Sequence, residues 1–161
     1  MIDLKTEIRL LNKDDAKTSY KWRNDSQVWA LTGSKPLSIV TQQMEEKWLE
    51  AVLEKKDQVR FAIIEKKNGA YIGNIYLTDI KEKSAQYQIF IGEKDYWGKN
   101  HAYEASILLI KYAKDNLFLE KLYLEVRIEH KKAIRLYEKL GFNIIHENNT
   151  FYTMELWLTA Q

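Results

Sequence analysis

One segment constrains the fold of this chain most: an apolar, strand-like run at 87–92, a glycine-containing turn at 96–101 and a helix-like run at 102–118. The first N–H groups of a helix have no acceptor within the helix, and together with the helix dipole they attract an anion. Lys99 adds a positive charge beside Gly98. The segment predicts a phosphate-binding turn, unless Gly98 only reverses the chain before an ordinary helix.

A second segment favours the phosphate-binding turn over a simple chain reversal. Residues 133–142 follow a strand-like run at 122–128 and end in Leu-Tyr-Glu-Lys-Leu-Gly-Phe, with Tyr137 as the tyrosine. The two segments together resemble the GNAT acetyltransferase superfamily, in which a strand, a Gly-rich turn and a helix hold the pyrophosphate of acetyl-CoA. The resemblance is strong over 61–142 and looser over 7–52. It is closest to the branch with ribosomal-protein N-terminal acetyltransferases and bacterial nucleotide-amino-sugar acetyltransferases.

Composition limits the alternatives. A chain of 161 residues with 45% hydrophobic and 30% charged residues is typical of one globular domain, here 1–161. The net charge of +2 gives no reason to expect nucleic acid as a partner. Because the chain has no cysteine, disulfides, thiolate catalysis and Cys-ligated zinc are excluded. The histidines His101, His130 and His146 lack metal-ligand spacing, so no metal site is expected.

The N-terminus lacks an apolar signal core, and no stretch approaches the ~20 apolar residues that span a bilayer. We therefore expect no membrane partner and, by default, a cytoplasmic location.

Hydrophobic periodicity and turn signals predict a defined order of elements. The N-terminal part is expected to contain a strand at 8–10, a helix from Asp14 or Asp15 to about Trp29, a break at 32–36 and a helix at 39–55. The apolar face of the helix at 39–55 is expected to carry Val40, Met44, Trp48, Ala51 and Val52. The rest of the chain is expected to contain strands at 60–65, 70–78 and 85–92, a helix at 102–116, a strand at 121–128, a helix at 131–140 and a hairpin at 142–146 and 151–157.

This order predicts an α/β (α+β) fold with a mixed, mostly antiparallel sheet flanked by helices. The strand ending at Gly92 and the strand starting at Lys121 are joined by a helix and are expected to be parallel. The GNAT resemblance implies that these two strands splay apart in a V.

The resemblance also implies the donor site. Backbone N–H groups around the turn would hold the pyrophosphate, and the main chain of Phe90 and Ile91 would hold the pantetheine arm. Three residues depart from the family pattern: Trp97 replaces a basic residue or glutamine, Asn100 replaces a glycine, and His130 replaces an asparagine. Asparagine tolerates positive φ well, so Asn100 is expected to keep the turn. The candidate cofactor-binding residues are Phe90, Ile91, Trp97, Gly98, Lys99, Asn100, His101, Ala102 and His130.

Two residues are candidates for catalysis. By the resemblance, Tyr137 protonates the leaving thiolate; alternatively it is only a core residue. The general base is less evident, because Gln86 stands where relatives often have a glutamate. Glu125 on the next strand is a candidate, although it is also an ordinary place for an exposed or ion-paired residue. A water chain, or an amine that binds already neutral, are further possibilities.

The acceptor is left open between classes. Trp22-Arg23-Asn24 resembles a segment in the first helix of GNAT relatives. Arg23 could bind a substrate carboxylate or phosphate, since its planar fork suits both. Alternatively, Arg23 forms a surface ion pair and Trp22 belongs to the core. The resemblance implies an acetyl-CoA-dependent N-acetyltransferase acting on a small amine, such as a nucleotide-linked amino sugar or amine metabolite. The alternatives are a protein N-terminus as acceptor, or a non-catalytic CoA-binding sensor. The apolar edge at 150–158 predicts a homodimer.

Overall fold

The computed structural model describes residues 3–32 and 35–158. The strands are β1 (Thr6–Leu10), β2 (Val59–Glu65), β3 (Ala70–Lys81), β4 (Ser84–Ile91), β5 (Lys121–Arg127), β6 (Asn143–Glu147) and β7 (Phe151–Trp157). The α-helices are α1 (Ala16–Arg23), α2 (Ser26–Thr32), α3 (Gln42–Leu53), α4 (His101–Asp115) and α5 (Lys131–Leu140). Short 3-10 turns lie at Lys13–Asp15 and Lys94–Tyr96.

All seven strands belong to one sheet, in the order β1-β2-β3-β4-β5-β7-β6. Every neighbouring pair is antiparallel except β4 and β5, which are parallel and are connected by α4. The predicted fold class, including its one parallel pair, is therefore confirmed.

Helices cover both faces of the sheet. On one face, Ala105, Leu109 and Ala113 of α4 and Ile134 of α5 are buried in the larger core. On the other face, a smaller core joins α1 and α3 to alternate residues of β2; its members are Leu11, Ala16, Leu49, Val52, Ala62 and Ile64. The strands between β2 and β5 thus present one face to α4 and α5 and the opposite face to α1 and α3.

The predicted first helix is two helices. It breaks at Asn24, whose side chain exchanges two hydrogen bonds with the backbone of Val40, at 2.8 Å and 2.7 Å. This contact between residues 16 positions apart fixes the turn into α2. The predicted break at 32–36 lies partly outside the described residues.

The prediction for α3 is wrong in its start and in its buried face. The helix begins at Gln42 rather than at residue 39, and Thr41 caps it, because the Thr41 hydroxyl accepts from the N–H of Met44 at 3.1 Å. Met44 and Trp48 are exposed, while Glu45, Leu49 and Val52 are buried. A buried charge explains the shift: Glu45 accepts from Ser19 at 2.8 Å and Arg23 at 3.0 Å, which turns it inward.

The edge of the sheet also differs from the prediction. Residues 151–157 form β7, which is paired on both sides, with β5 and with β6. The strand at this edge is β6, and β1 lies at the opposite edge. A self-association surface on the sheet edge at this end would therefore involve β6 rather than 150–158.

Candidate active site

The turn before α4 contains two residues in left-handed backbone conformations. Gly98 has φ +74° and Asn100 has φ +73°, as the prediction for Asn100 requires. Asn100 is the N-cap of α4, yet its side chain does not cap the helix. Left-handed residues in a turn are typical of loops whose successive N–H groups bind an anion.

Six consecutive N–H groups on this turn lack an acceptor. On either side, the N–H of Trp97 donates to Lys94 at 3.1 Å and that of Glu104 donates to Asn100 at 3.1 Å. Between them, Gly98 through Tyr103 donate to no acceptor in the parts of the chain that the structure describes. This stretch includes five predicted cofactor-binding residues, Gly98, Lys99, Asn100, His101 and Ala102. The turn therefore offers a row of donors at the positive end of a 15-residue helix.

The charges around the turn favour an anion. The Lys99 side chain is exposed, with its Nζ 5.8 Å from the centre of the Tyr96 ring. The acid in the first turn of α4, Glu104, accepts from the backbone N–H of Lys5 at 3.0 Å. The Glu104 carboxylate thus has a hydrogen-bond partner within the protein, whereas the Lys99 ammonium group remains exposed.

His101 contributes only its backbone to this surface. Its side chain is 3% exposed, with Nδ1 2.7 Å from the Thr6 hydroxyl and Nε2 3.4 Å from a Glu65 carboxylate oxygen. Burial lowers the pKa of His101, an effect that outweighs the opposing influence of Glu65. The ring is therefore neutral at pH 7 and anchors the start of α4 to β1 and β2. As a side chain, His101 points away from the predicted cofactor site.

Trp97 has a role that the sequence did not indicate. Its indole Nε1 donates to the backbone carbonyl of Ile91 at 2.8 Å. The side chain thus folds back onto the end of β4 and ties the turn to the strand. One acceptor position of the Ile91 carbonyl is consequently occupied from within the chain.

β4 and β5 separate after three residue pairs, the last of which is Gln86 with Tyr123. Beyond that point β4 continues to pair with β3, and β5 with β7. The facing edges of 87–91 and 124–127 are left without each other as partners. Phe90 and Ile91 lie on this open edge, directly before the turn, while the Phe90 ring contacts Trp22 of α1 at 5.9 Å. The two strands and the turn enclose one gap.

Tyr137 enters from the face that carries α5. Its ring packs edge-on against Tyr87 at 5.8 Å and against Phe142 at 5.9 Å. Its hydroxyl forms no hydrogen bond with any residue of 3–32 or 35–158, whereas the hydroxyl of Tyr87 is bonded to Ser106. Burial, with a smaller effect from the charge of Tyr76, raises the pKa of Tyr137 to about 12. Tyr137 therefore presents a protonated, unbonded phenol.

Glu125 lies on the opposite face of the sheet from α5. The side chain is exposed, two residues beyond Tyr123 on β5. Burial raises the pKa of Tyr123, and the charges of Asp79 and Glu125 add to this effect. Gln86 is the register partner of Tyr123 and is on the same face. Glu125 and Tyr137 thus approach the gap from opposite sides of the sheet.

His130, the residue in place of the family asparagine, is the N-cap of α5 and makes no side-chain cap hydrogen bond. Burial lowers its pKa, with Glu129 opposing the effect. The ring is therefore neutral at pH 7, with one nitrogen able to donate and the other to accept.

The Trp22-Arg23-Asn24 segment takes structural roles. Trp22 is 4% exposed, and its Nε1 donates to Glu93 at 2.6 Å. Arg23 pairs with the buried carboxylate of Glu45 at 3.0 Å. Of the two alternatives for Arg23, the geometry favours the ion pair over a group that is free to bind substrate.

Sequence reasoning missed two residues on the same face of the sheet as Gln88, Tyr76 on β3 and Arg60 on β2. Tyr76 is the register partner of Gln88 on β4, the strand that borders the gap. The Arg60 guanidinium lies 4.3 Å from the centre of the Tyr76 ring. The sequence did contain one signal: Arg60 is a charged residue near the start of β2, and the four residues that follow it are apolar.

Across 3–32 and 35–158, no group of three or more His, Asp or Glu side chains is arranged to hold a metal ion. Within the same ranges, no helix has the length and apolar character needed to cross a bilayer.

Comparison with known proteins identifies the family. Residues 5–143 match a family model described as an acetyltransferase (GNAT) domain. Two curated relatives illustrate the range. Spermidine N(1)-acetyltransferase of Escherichia coli (strain K12) is 37% identical over 90 residues, covering 55% of this chain and 48% of the relative. Alpha/beta-tubulin-N-acetyltransferase 9 of Mus musculus is 24% identical over 155 residues, covering 88% of this chain and 63% of the relative.

Solved structures agree on the fold. Spermidine N-acetyltransferase from Vibrio cholerae in complex with CoA and spermine superimposes with a TM-score of 0.86 at 22% identity, covering 96% of each chain. The chain spans about half to two thirds of the two curated relatives named above, but nearly all of this structural neighbour.

Proposed function

The chain belongs to the acetyltransferase (GNAT) family, whose N-acetyltransferases take their acetyl group from acetyl-CoA, and we propose that it transfers this group to the primary amine of a small molecule. The observation that carries the proposal is the row of six N–H groups without acceptors, Gly98 to Tyr103, beside the gap between β4 and β5.

The turn binds the pyrophosphate. The two left-handed residues, Gly98 and Asn100, turn the N–H groups together, and the dipole of α4 adds a partial positive charge. Lys99 supplies a full charge nearby. The Trp97–Ile91 hydrogen bond holds the turn against β4, so the donors are positioned before the ligand arrives.

The open edge of β4 binds the pantetheine arm. Residues 87–91 have no partner strand on the β5 side, so an extended chain in the gap completes the sheet with main-chain hydrogen bonds. At the same edge, an N–H of Phe90 or Ile91 stabilises the charge that develops on the thioester oxygen. A donor of this kind contributes roughly 3 kcal/mol to catalysis.

Tyr137 protonates the leaving sulfur. The amine nitrogen forms the new C–N bond as the C–S bond breaks, the sulfur takes the phenolic proton, and the nitrogen loses one proton. Tyr137 has a pKa of about 12 and keeps its proton at neutral pH. Because burial raises the pKa of a neutral acid, it also raises that of the thiol leaving group, which reduces the mismatch between the two. Solvent then restores the proton to Tyr137.

Glu125 receives the proton from the amine, directly or through water. It lies across the gap from Tyr137 on the acceptor face, and its carboxylate is exposed. The separation of acid and base by the sheet allows one group to act on the sulfur and the other on the nitrogen.

A small acceptor is favoured by the relatives. Those with higher identity act, by their names, on spermidine. A protein acceptor is the alternative, because the similarity to an acetyltransferase named for tubulin extends over 88% of the chain. The unbonded hydroxyl of Tyr137 argues against a sensor, because a binding-only protein has no use for a buried phenol without a partner.

Thiol release from acetyl-CoA tests the proposal. A chromogenic disulfide reports free CoA, and the protein adds no background because it has no cysteine. The panel contains diamines, polyamines, amino acids, amino sugars and N-terminal peptides. Turnover with a small amine is the expected result. Turnover with peptides alone establishes the protein acceptor. No turnover together with a CoA-dependent rise in melting temperature indicates a sensor.

A further inference from the structure

A row of side chains leads across the acceptor face into the gap. Arg60 on β2 is the register partner of Tyr76 on β3, and Tyr76 is the partner of Gln88 on β4. Residues paired across neighbouring strands project from the same face of the sheet. The row is therefore Arg60, Tyr76 and Gln88, and it ends at the gap.

Glu125 continues this row on the other side of the gap. The last β4–β5 pair is Gln86 with Tyr123, so Gln88 and Glu125, each two residues further on, are at the same level and on the same face. The row therefore has a positive charge at one end, on Arg60, and a negative charge at the other end, on Glu125.

Arg60 has no counter-charge of its own. Its guanidinium lies against the rings of Tyr76, at 4.3 Å, and Trp48, at 5.2 Å. Its guanidinium donates to the amide oxygen of Gln58, from Nε at 3.2 Å and from Nη2 at 3.1 Å. Nothing in 3–32 or 35–158 provides it with a carboxylate within ion-pair distance, in contrast to Arg23, which is paired with Glu45.

An unpaired, partly buried guanidinium is costly. Burial lowers the pKa of Arg60, but an arginine remains charged at neutral pH. Removing a charge from water without a partner is unfavourable, and an anionic ligand offsets that cost. The free side of the guanidinium is preorganised by two aromatic faces, which hold its plane in one orientation.

The row also reaches the reacting centre. Gln88, the register partner of Tyr76, lies on β4, the strand that borders the gap. Strands are about 4.8 Å apart, which puts the backbone of Arg60 roughly 10 Å from that of Gln88 at the gap. A side chain of the length of arginine covers part of that distance, and a small acceptor molecule spans the remainder.

We propose that the acceptor carries an anionic oxygen group, a carboxylate or a phosphate, which binds Arg60 while its amine reaches the gap beside Glu125. The inference rests on the proposed function and deepens it. It separates this chain from the relatives named for spermidine, because a polyamine has only positive charges to place beside an unpaired arginine. The preferred substrate is an amine with an acidic group several bonds away.

Matched acceptors test the proposal. Thiol release is measured with ω-amino acids, aminoalkyl phosphates and α,ω-diamines of equal chain length. We expect one of the two anionic series to have a higher kcat/KM than the diamines, and the better series identifies the anion. Diamines that outperform both anionic series would overturn the inference while leaving the acetyltransferase proposal intact.

Variants of Arg60 assign the effect to this residue. Arg60→Gln is expected to raise KM for the anionic acceptor about 10- to 100-fold, the size of a lost charged hydrogen bond, with little change in kcat and no increase in KM for diamines. Arg60→Lys should fall between, because lysine keeps the charge without the planar fork. Lys56→Gln, at an exposed position four residues earlier in the chain, also removes one positive charge and should leave all values unchanged. An equal KM increase for anionic acceptors and diamines would contradict the role of Arg60.

Binding without turnover keeps the two proposals distinguishable. Calorimetry with the preferred ω-amino acid or aminoalkyl phosphate, in the presence of CoA, measures affinity for wild type and for Arg60→Gln. Loss of affinity in the variant supports the Arg60 site even when no acetyl group is transferred. Equal affinity in both proteins would overturn it. If no acceptor in the panel is acetylated, the proposed function fails separately.

Discussion

At the scale of single residues, Asn100 shows how the chain keeps a turn that glycine usually occupies. Its φ of +73° disfavours residues with a Cβ, by about 1 to 2 kcal/mol in the left-handed region. We expect Asn100→Gly to bind CoA as well as wild type and Asn100→Val to bind it at least several-fold more weakly. Calorimetric titration with CoA measures both. Equal affinities in all three proteins would show that the conformation of this residue does not set the donor site.

Tyr137 provides a prediction about rate rather than affinity. Tyr137→Phe removes one hydroxyl from a ring that stays packed against Tyr87 and Phe142. The loss of a general acid lowers kcat by about 100-fold or more, whereas KM for acetyl-CoA should change little. Steady-state thiol release measures both constants.

Tyr112→Phe is the matched control for that experiment. Tyr112 packs against Phe61 on the outer part of α4, with ring centres 5.0 Å apart and away from the gap. The control should keep wild-type turnover. Full turnover by Tyr137→Phe would remove the assignment of the acid.

Local chemistry made some residues predictable. The conformation at Asn100 follows from its own preference, and Tyr137 lies in a contiguous motif. The roles of Glu45 and His101 did not follow, because the partners that turn these side chains inward are distant in sequence: Ser19 for Glu45 and Thr6 for His101. The sequence did not indicate Arg60 for the same reason: whether an arginine has a carboxylate within ion-pair distance depends on residues that are distant in sequence.

At the scale of elements, two contacts connect the acceptor-side helices to the loop after β4. Trp22 of α1 donates to Glu93 at 2.6 Å, and Lys94 pairs with Asp25, before α2, at 2.8 Å. Gly92 makes the close approach possible, because a Cβ there would lie 2.0 Å from the Trp22 ring. The loop that leads into the turn before α4 therefore packs directly on α1.

We expect the two contacts to differ in strength. Trp22→Phe deprives Glu93 of its donor and leaves a void, and it should lower the free energy of unfolding by about 2 to 4 kcal/mol. Lys94→Gln breaks a more exposed ion pair and should cost less than about 1 kcal/mol. Urea denaturation of both variants gives the comparison. A larger loss for Lys94→Gln would mean that the ion pair, not the indole, holds the helices to the loop.

Sequence periodicity predicted elements better where packing is one-sided. The range 131–140 for α5 agrees at both ends, because Gly141 ends the helix with φ +106°. The predicted single helix from 14 or 15 to 29 does not agree, because the break depends on the contact of Asn24 with Val40. A helix end that is set by its own cap residue or terminal glycine can be predicted from the local sequence. A break that depends on a contact with a distant loop cannot.

At the scale of the whole molecule, the two edges of the sheet differ. All five residues of β6 are exposed, and this end of the sheet carries Ile144, Ile145 and Trp157 with exposed fractions of 42%, 54% and 58%. The opposite edge, β1, exposes Leu10 at 63%. Unpaired N–H and C=O groups beside exposed apolar side chains favour pairing with another strand.

We expect the chain to form a two-fold dimer through β6, because a two-fold axis brings the same edge of two copies together in antiparallel orientation. Ile145→Lys adds a charge to this edge and should shift the equilibrium to monomer, while Leu10→Lys on β1 should not. Sedimentation equilibrium at several protein concentrations gives the mass of each species. A wild-type monomer at all concentrations would contradict the dimer, and dissociation by Leu10→Lys alone would move the interface to β1.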